Sequence, residues 1–88
     1  MLTMLKTDLG ILTTTAYDTR LTQLLTAAEQ AIVAEGASTL DTSSDVLDMQ
    51  LVVMYAAWLW RSRTTGEGQP DMLKKTLYNR LFGEKART

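Results

Sequence analysis

Apolar residues recur at spacings of three and four along Tyr17, Leu21, Leu24, Leu25, Ala28, Ala31 and Ile32, with polar residues between them. That period predicts a helix burying one face. Thr15, with Asp18 three residues on, forms a capping-box-like pair and predicts its start, and Gly36 predicts its end. A shorter pattern, Leu2, Leu5 and Leu9, predicts a first helix of about Leu2 to Leu9 with Gly10 as its stop. Ile11 to Thr15 is rich in β-branched residues and reads as extended or irregular chain.

The third pattern is of another kind. Leu51 to Trp60 are ten consecutive apolar or aromatic residues. At about 100° per residue, Leu47, Leu51, Met54, Tyr55 and Trp58 form one stripe, while Met49, Val53, Ala56, Ala57 and Trp60 form a second on the far side. A helix apolar all round must be covered all round, by other helices or by a neighbouring subunit. Thr42 to Asp45 supply capping oxygens for its start, Asp48 lies in its acidic first turn, and its end is expected near Ser62. Thr64 to Gln69 reads as a flexible connector. Pro70 and Asp71 then open a fourth helix, with Leu73, Leu77 and Leu81 as its buried line and Gly83 as its cap. Beyond it, Glu84 to Thr88 is expected to be a mobile tail. No strand pattern or internal repeat is present. The expected class is all-α: a compact bundle of about four helices, one short and three longer, in one domain of residues 1–88 with a folded core of 1–83.

Chemistry narrows the functions. The 88 residues include no cysteine and no histidine, which removes disulfides, thiolate ligands, thiol nucleophiles and the usual neutral-pH general base. Asp41, Asp45 and Asp48 do not form a calcium loop, because Val46 and Val52 stand where a glycine and a carboxylate are needed; they read as capping residues. Gly66-Glu-Gly68 lacks the ending of a phosphate-binding loop. No carboxylate pair is placed in a cleft by spacing alone, so neither enzymatic activity nor a metal or cofactor is expected. The apolar run is about half of what a bilayer crossing needs, and no secretory leader precedes it, so a cytosolic protein is the default expectation.

Charge is unevenly placed. Residues 1–60 carry two basic and seven acidic side chains, whereas residues 61–88 carry seven basic and three acidic. Such a division suits either solvated faces or head-to-tail association, which closes into a ring when the rotation permits. Lys74, Lys75, Asn79 and Arg80 also raise the alternative of a small helical DNA-binding regulator. Against it stand a pI of about 5.2 and a connector longer than the three- or four-residue turn of a helix-turn-helix. Trp58 and Trp60 point roughly 200° apart. One is expected to close the core and the other to pack at a subunit boundary, where aromatics are enriched.

Longer stretches carry a resemblance. Met1-Leu-Thr-Met-Leu-Lys-Thr-Asp-Leu-Gly-Ile11, Ala16-Tyr-Asp18 leading into Leu21, Leu24, Leu25, Ala27-Ala28 and Ile32, and then Glu35-Gly36, resemble the small head–tail connector (adaptor) proteins of tailed bacteriophages. Gln50 to Trp60, Arg61-Ser-Arg63, Gly66-Glu-Gly-Gln-Pro70, Met72-Leu73 and Asn79-Arg-Leu-Phe82 are similar to the C-terminal portion of that family in order and spacing. Gln69 departs from the pattern, which has an apolar residue before the proline. The resemblance covers nearly the whole chain. It implies a structural, non-enzymatic virion protein, assembled in the bacterial cytoplasm and placed at the head–tail junction. There it would form a ring of about a dozen copies between the portal and a head-closure or tail-completion protein. Genome DNA would pass through the channel without specific binding, and no membrane would be involved. Trp58, Trp60, Arg61 and Arg63 are the expected subunit or portal contacts, together with Glu67, Gln69, Lys85 and Arg87.

Overall fold

The computed structural model describes residues 1–66 and 68–87; Glu67, Thr88 and the side chains of residues 63–65 and 85–87 lie outside the described residues. Four helices follow in order: α1 (Leu2–Leu9), α2 (Asp18–Ala34), α3 (Val46–Thr65) and α4 (Asp71–Arg87). The all-α bundle is as expected from the patterning.

The all-round apolar helix is its centre. Leu51, Val52, Val53, Tyr55, Ala56 and Ala57 are all buried, and at 100° per residue these positions cover about two thirds of the circumference of α3, with the half-buried Met54 and Trp58 in the remaining arc. Leu5 of α1, Leu21, Leu24, Leu25, Ala28 and Ile32 of α2, and Leu73 and Leu77 of α4 complete one core with them. The three helical alanines of the core, Ala28, Ala56 and Ala57, have no side chain beyond Cβ to hold neighbouring helices apart. The bundle is an elongated slab, with Cα extents of 42 × 28 × 18 Å. Its shortest dimension corresponds to about two helix layers. Two layers enclose the middle of α3 and leave much of the outer helices open.

Helix ends follow local chemistry, with informative departures. Gly10 (φ 73°) and Gly66 (φ 67°) end α1 and α3 in the left-handed conformation, which an L side chain adopts only with strain. The Asp45 carboxylate caps α3, accepting from the Leu47 and Asp48 N–H groups at 2.9 and 3.3 Å. The α3 helix runs to Thr65, one turn or so past its expected end, because Gly66 is the residue that can terminate it.

At α2 the expected capping box is absent: the helix begins at Asp18 with Tyr17 as N-cap and no side-chain cap. The Asp18 carboxylate instead pairs with the largely buried Lys6 ammonium at 2.9 Å, tying α1 to the start of α2. Gly83 is also not a cap. The α4 helix continues through it to Arg87, and Glu84, expected in the tail, is 5% exposed. Its carboxylate has partners inside the bundle, described below, that hold this turn down. The rest of the expected tail concerns side chains outside the described residues. Among the described residues no helix is long and apolar enough to cross a membrane.

Candidate functional site

Two kinds of surface meet on α4, and the helical period separates them. Leu73, Leu77, Arg80, Leu81 and Glu84 share one arc, whereas Tyr78 and Phe82 fall on another. The first arc faces α3 and the loop between α2 and α3. Beside its leucines it carries a buried polar network. Arg80 Nε donates to Asp48 Oδ1 at 2.7 Å, and its Nη2 donates to Asp48 Oδ2 at 3.4 Å and to Thr39 Oγ1 at 3.0 Å. Arg80 Nη1 lies 3.5 Å from Glu84 Oε1, one helical turn on. That oxygen accepts from both the N–H and the hydroxyl of Thr39, each at 2.7 Å. The Asp41 N–H donates to Asp48 Oδ2 at 3.0 Å.

One guanidinium thus serves two carboxylates, and both carboxylates in turn anchor loop backbone. Asp48 is 2% exposed, so charges in this position need each other: an unpaired one is strongly unfavourable when water is excluded. The bond to Asp48, more than any other influence, raises the Arg80 pKa above its ordinary value. Asp48, read from sequence as an acidic first-turn residue, is a buried strut between α3 and α4. Asp41 is different in kind. It is exposed, and the Ser43 and Ser44 hydroxyls that donate to its carboxylate hold its pKa down to about 2. The capping role expected for this acidic cluster holds at Asp45. Among the described residues no group of three or more acidic side chains is arranged to hold a metal ion.

The second arc is apolar and open. The Tyr78 and Phe82 rings, one turn apart, stack with centroids 6.4 Å apart and 25° between planes. They are 67% and 64% exposed, at the mouth of a cavity of about 420 Å³ bounded also by Glu35, Ser38 and Leu81. On the other flank of α4, Met72 and Leu47 stand at a groove of about 550 Å³ between α3 and α4. Leu47, expected in a buried stripe with Leu51, is 73% exposed. It lies in the first turn of α3, outside the stretch that the other helices enclose.

The residues expected at an interface are placed as follows. The Trp58 ring meets Tyr55 edge-on at 5.4 Å and the Trp60 ring meets Tyr17 at 5.2 Å. Both indoles are half-buried against the core, and each has an aromatic partner within its own chain. Arg61 is exposed and donates to the Asp8 carboxylate and carbonyl at 3.3 and 3.2 Å, an intramolecular tie to the end of α1. Gln69 borders a shallow groove with Glu35, Lys74 and Tyr78. Glu67 and the side chains of Arg63, Lys85 and Arg87 lie outside the described residues. Sequence reading assigned no interface role to Tyr78, Phe82 or Met72. The signal available was the helical wheel, on which Tyr78 falls 100° beyond Leu77 and away from the leucine line.

No family model, curated protein or solved structure matches the chain significantly.

Proposed function

We propose that this chain is a small head–tail connector of a tailed bacteriophage. On this reading it is a structural virion protein without enzymatic activity, assembled in the host cytoplasm and located at the head–tail junction. About a dozen copies form a ring between the portal and a head-closure or tail-completion protein, completing the head after DNA packaging. The genome passes through the channel without specific binding, since many tight phosphate contacts would oppose sliding.

The ordered resemblance across the chain selects this assembly. The structural observation that supports it is apolar surface left outside a bundle whose core is already closed: Leu47, Met72, Tyr78 and Phe82. These residues form two separate exposed apolar patches, one on each flank of α4, and such patches on a small domain mark interaction sites. The division of charge between the two parts of the chain adds a means of orienting copies.

The test uses purified portal rings of the same phage. Incubation with the full chain should give a stoichiometric complex, visible as an added ring by electron microscopy. Absence of binding to portal, together with duplex DNA affinity that falls steeply with added salt, would replace this reading with the DNA-binding regulator.

A further inference from the structure

The stacked Tyr78–Phe82 pair has a matching surface on the same chain. A groove of about 350 Å³ lies along the outer flank of α2, bounded by Glu29, Gln30, Val33, Ala34, Leu40 and Thr42. Its floor includes the exposed Val33 and the half-buried Leu40. Its charge is acidic: the Glu29 carboxylate accepts from Thr42 Oγ1 at 3.3 Å and has no cation partner among the described residues. Asp41 follows Leu40 at the rim and remains ionised far into acid.

The aromatic pair is flanked by the opposite charge. Lys74 and Lys75 precede Tyr78 by four and three residues, which places them beside it on the helix surface. Neither lysine has an ion-pair partner among the described residues. Glu35 shares a shallow groove with Lys74 and Tyr78 and offsets part of that charge within the chain. Asp71, three and four residues before Lys74 and Lys75, offsets a further part from the first turn of the same helix.

Position decides how the two surfaces can be used. Val33 and Glu35 are two residues apart at the end of α2, so they face about 200° apart. Val33 borders the acidic groove, whereas Glu35 borders the cavity beside Tyr78 and Phe82. The two surfaces therefore lie on opposite flanks, and one copy can use both at once with two neighbours. Pairing the aromatic face with itself would set one lysine-bearing helix against another.

We propose that Tyr78 and Phe82 of one copy dock in the groove bounded by Glu29, Val33 and Leu40 of a second copy, head to tail, with Lys74 and Lys75 facing its carboxylates. This deepens the connector reading and rests on it for the closed ring. The contact is heterologous, so every open chain of copies keeps one free knob and one free groove until a ring closes.

The experiment mixes two single-surface variants. Tyr78→Ser with Phe82→Ser removes the knob, and Val33→Asp spoils the groove. All three positions are exposed, and circular dichroism checks that both variants fold. Wild type should self-associate with concentration in sedimentation velocity, less so at high salt. Each variant alone should weaken that association at least about thirtyfold, the scale of an interface hot spot. Mixed together, the two variants should give a dimer that does not extend, since one supplies the only intact knob and the other the only intact groove. A mixture that remains monomeric overturns the proposed contact, as does a wild type that stays monomeric at millimolar concentration. Portal binding is measured separately, so either failure here leaves the connector reading to its own test.

Discussion

Removing the Arg80 guanidinium should be among the most damaging single changes to the fold. Arg80→Met keeps most of the side-chain length along α4 but leaves the Asp48 and Glu84 carboxylates, 2% and 5% exposed, without their shared cation. Breaking a buried charge network by removing one partner costs about 3–5 kcal/mol. The whole stability of a chain this size is on the order of 4–13 kcal/mol, so the loss is a large fraction of it. Substituting all three members with apolar residues should not fully restore stability. The Thr39 and Asp41 N–H groups would then lack their acceptors, at up to about 1–3 kcal/mol each where water does not replace them. Arg80→Met combined with Asp48→Asn and Glu84→Gln removes the charges and keeps those acceptors. The expected order of stability is wild type, then this neutral triple variant, then Arg80→Met alone. Urea unfolding followed by circular dichroism gives the order, with unchanged m-values confirming a common transition. An Arg80→Met protein within about 1 kcal/mol of wild type would refute the reasoning and mean that water reaches the carboxylates.

Other expectations follow from single contacts. Leu51→Ala, at the closed centre of α3, should lower stability by about 2–5 kcal/mol in the same urea assay. Asp45→Ala removes the two capping bonds at the start of α3 and should cost about 1 kcal/mol. The Tyr55 hydroxyl, pushed up chiefly by burial and secondarily by Glu35, is held protonated in the fold. Its share of stability is present below the ordinary phenol range and lost as pH rises through the raised folded value, so Tyr55→Phe should unfold at higher pH than wild type in an alkaline titration. Asp41 runs the other way. Its depressed pKa of about 2 gives stability that is present above the ordinary carboxylate range and lost as pH falls toward 2, and Asp41→Asn should remove that part of the acid dependence.

Much of the fold was legible because it rests on local rules. The period of Leu21 to Ile32, the all-round apolar run of Leu51 to Ala57, and Gly10 after Leu9 each act through neighbours in the chain. The misplacements were long-range. Asp18 was assigned to a cap with Thr15, but Lys6, twelve residues away in sequence, draws its carboxylate. Gly83 looked like a stop, but the contact of Glu84 with Thr39 rewards one more turn of α4. The aromatic pair at Tyr78 and Phe82 was visible in the spacing, yet its exposure was not, since that depends on how far the other helices extend.

From its residues alone this chain was bound to be helical, to place α3 at the centre and to lack the side chains of thiol or imidazole chemistry. Those properties follow from composition and periodicity, which need no partner across the bundle. Only the tertiary structure decided which apolar residues stay outside, which acids are buried struts and which basic residues already have partners. The physical reason is coverage: a slab of about two helix layers closes over the middle of α3, and packing, rather than spacing, determines what remains open at its edges.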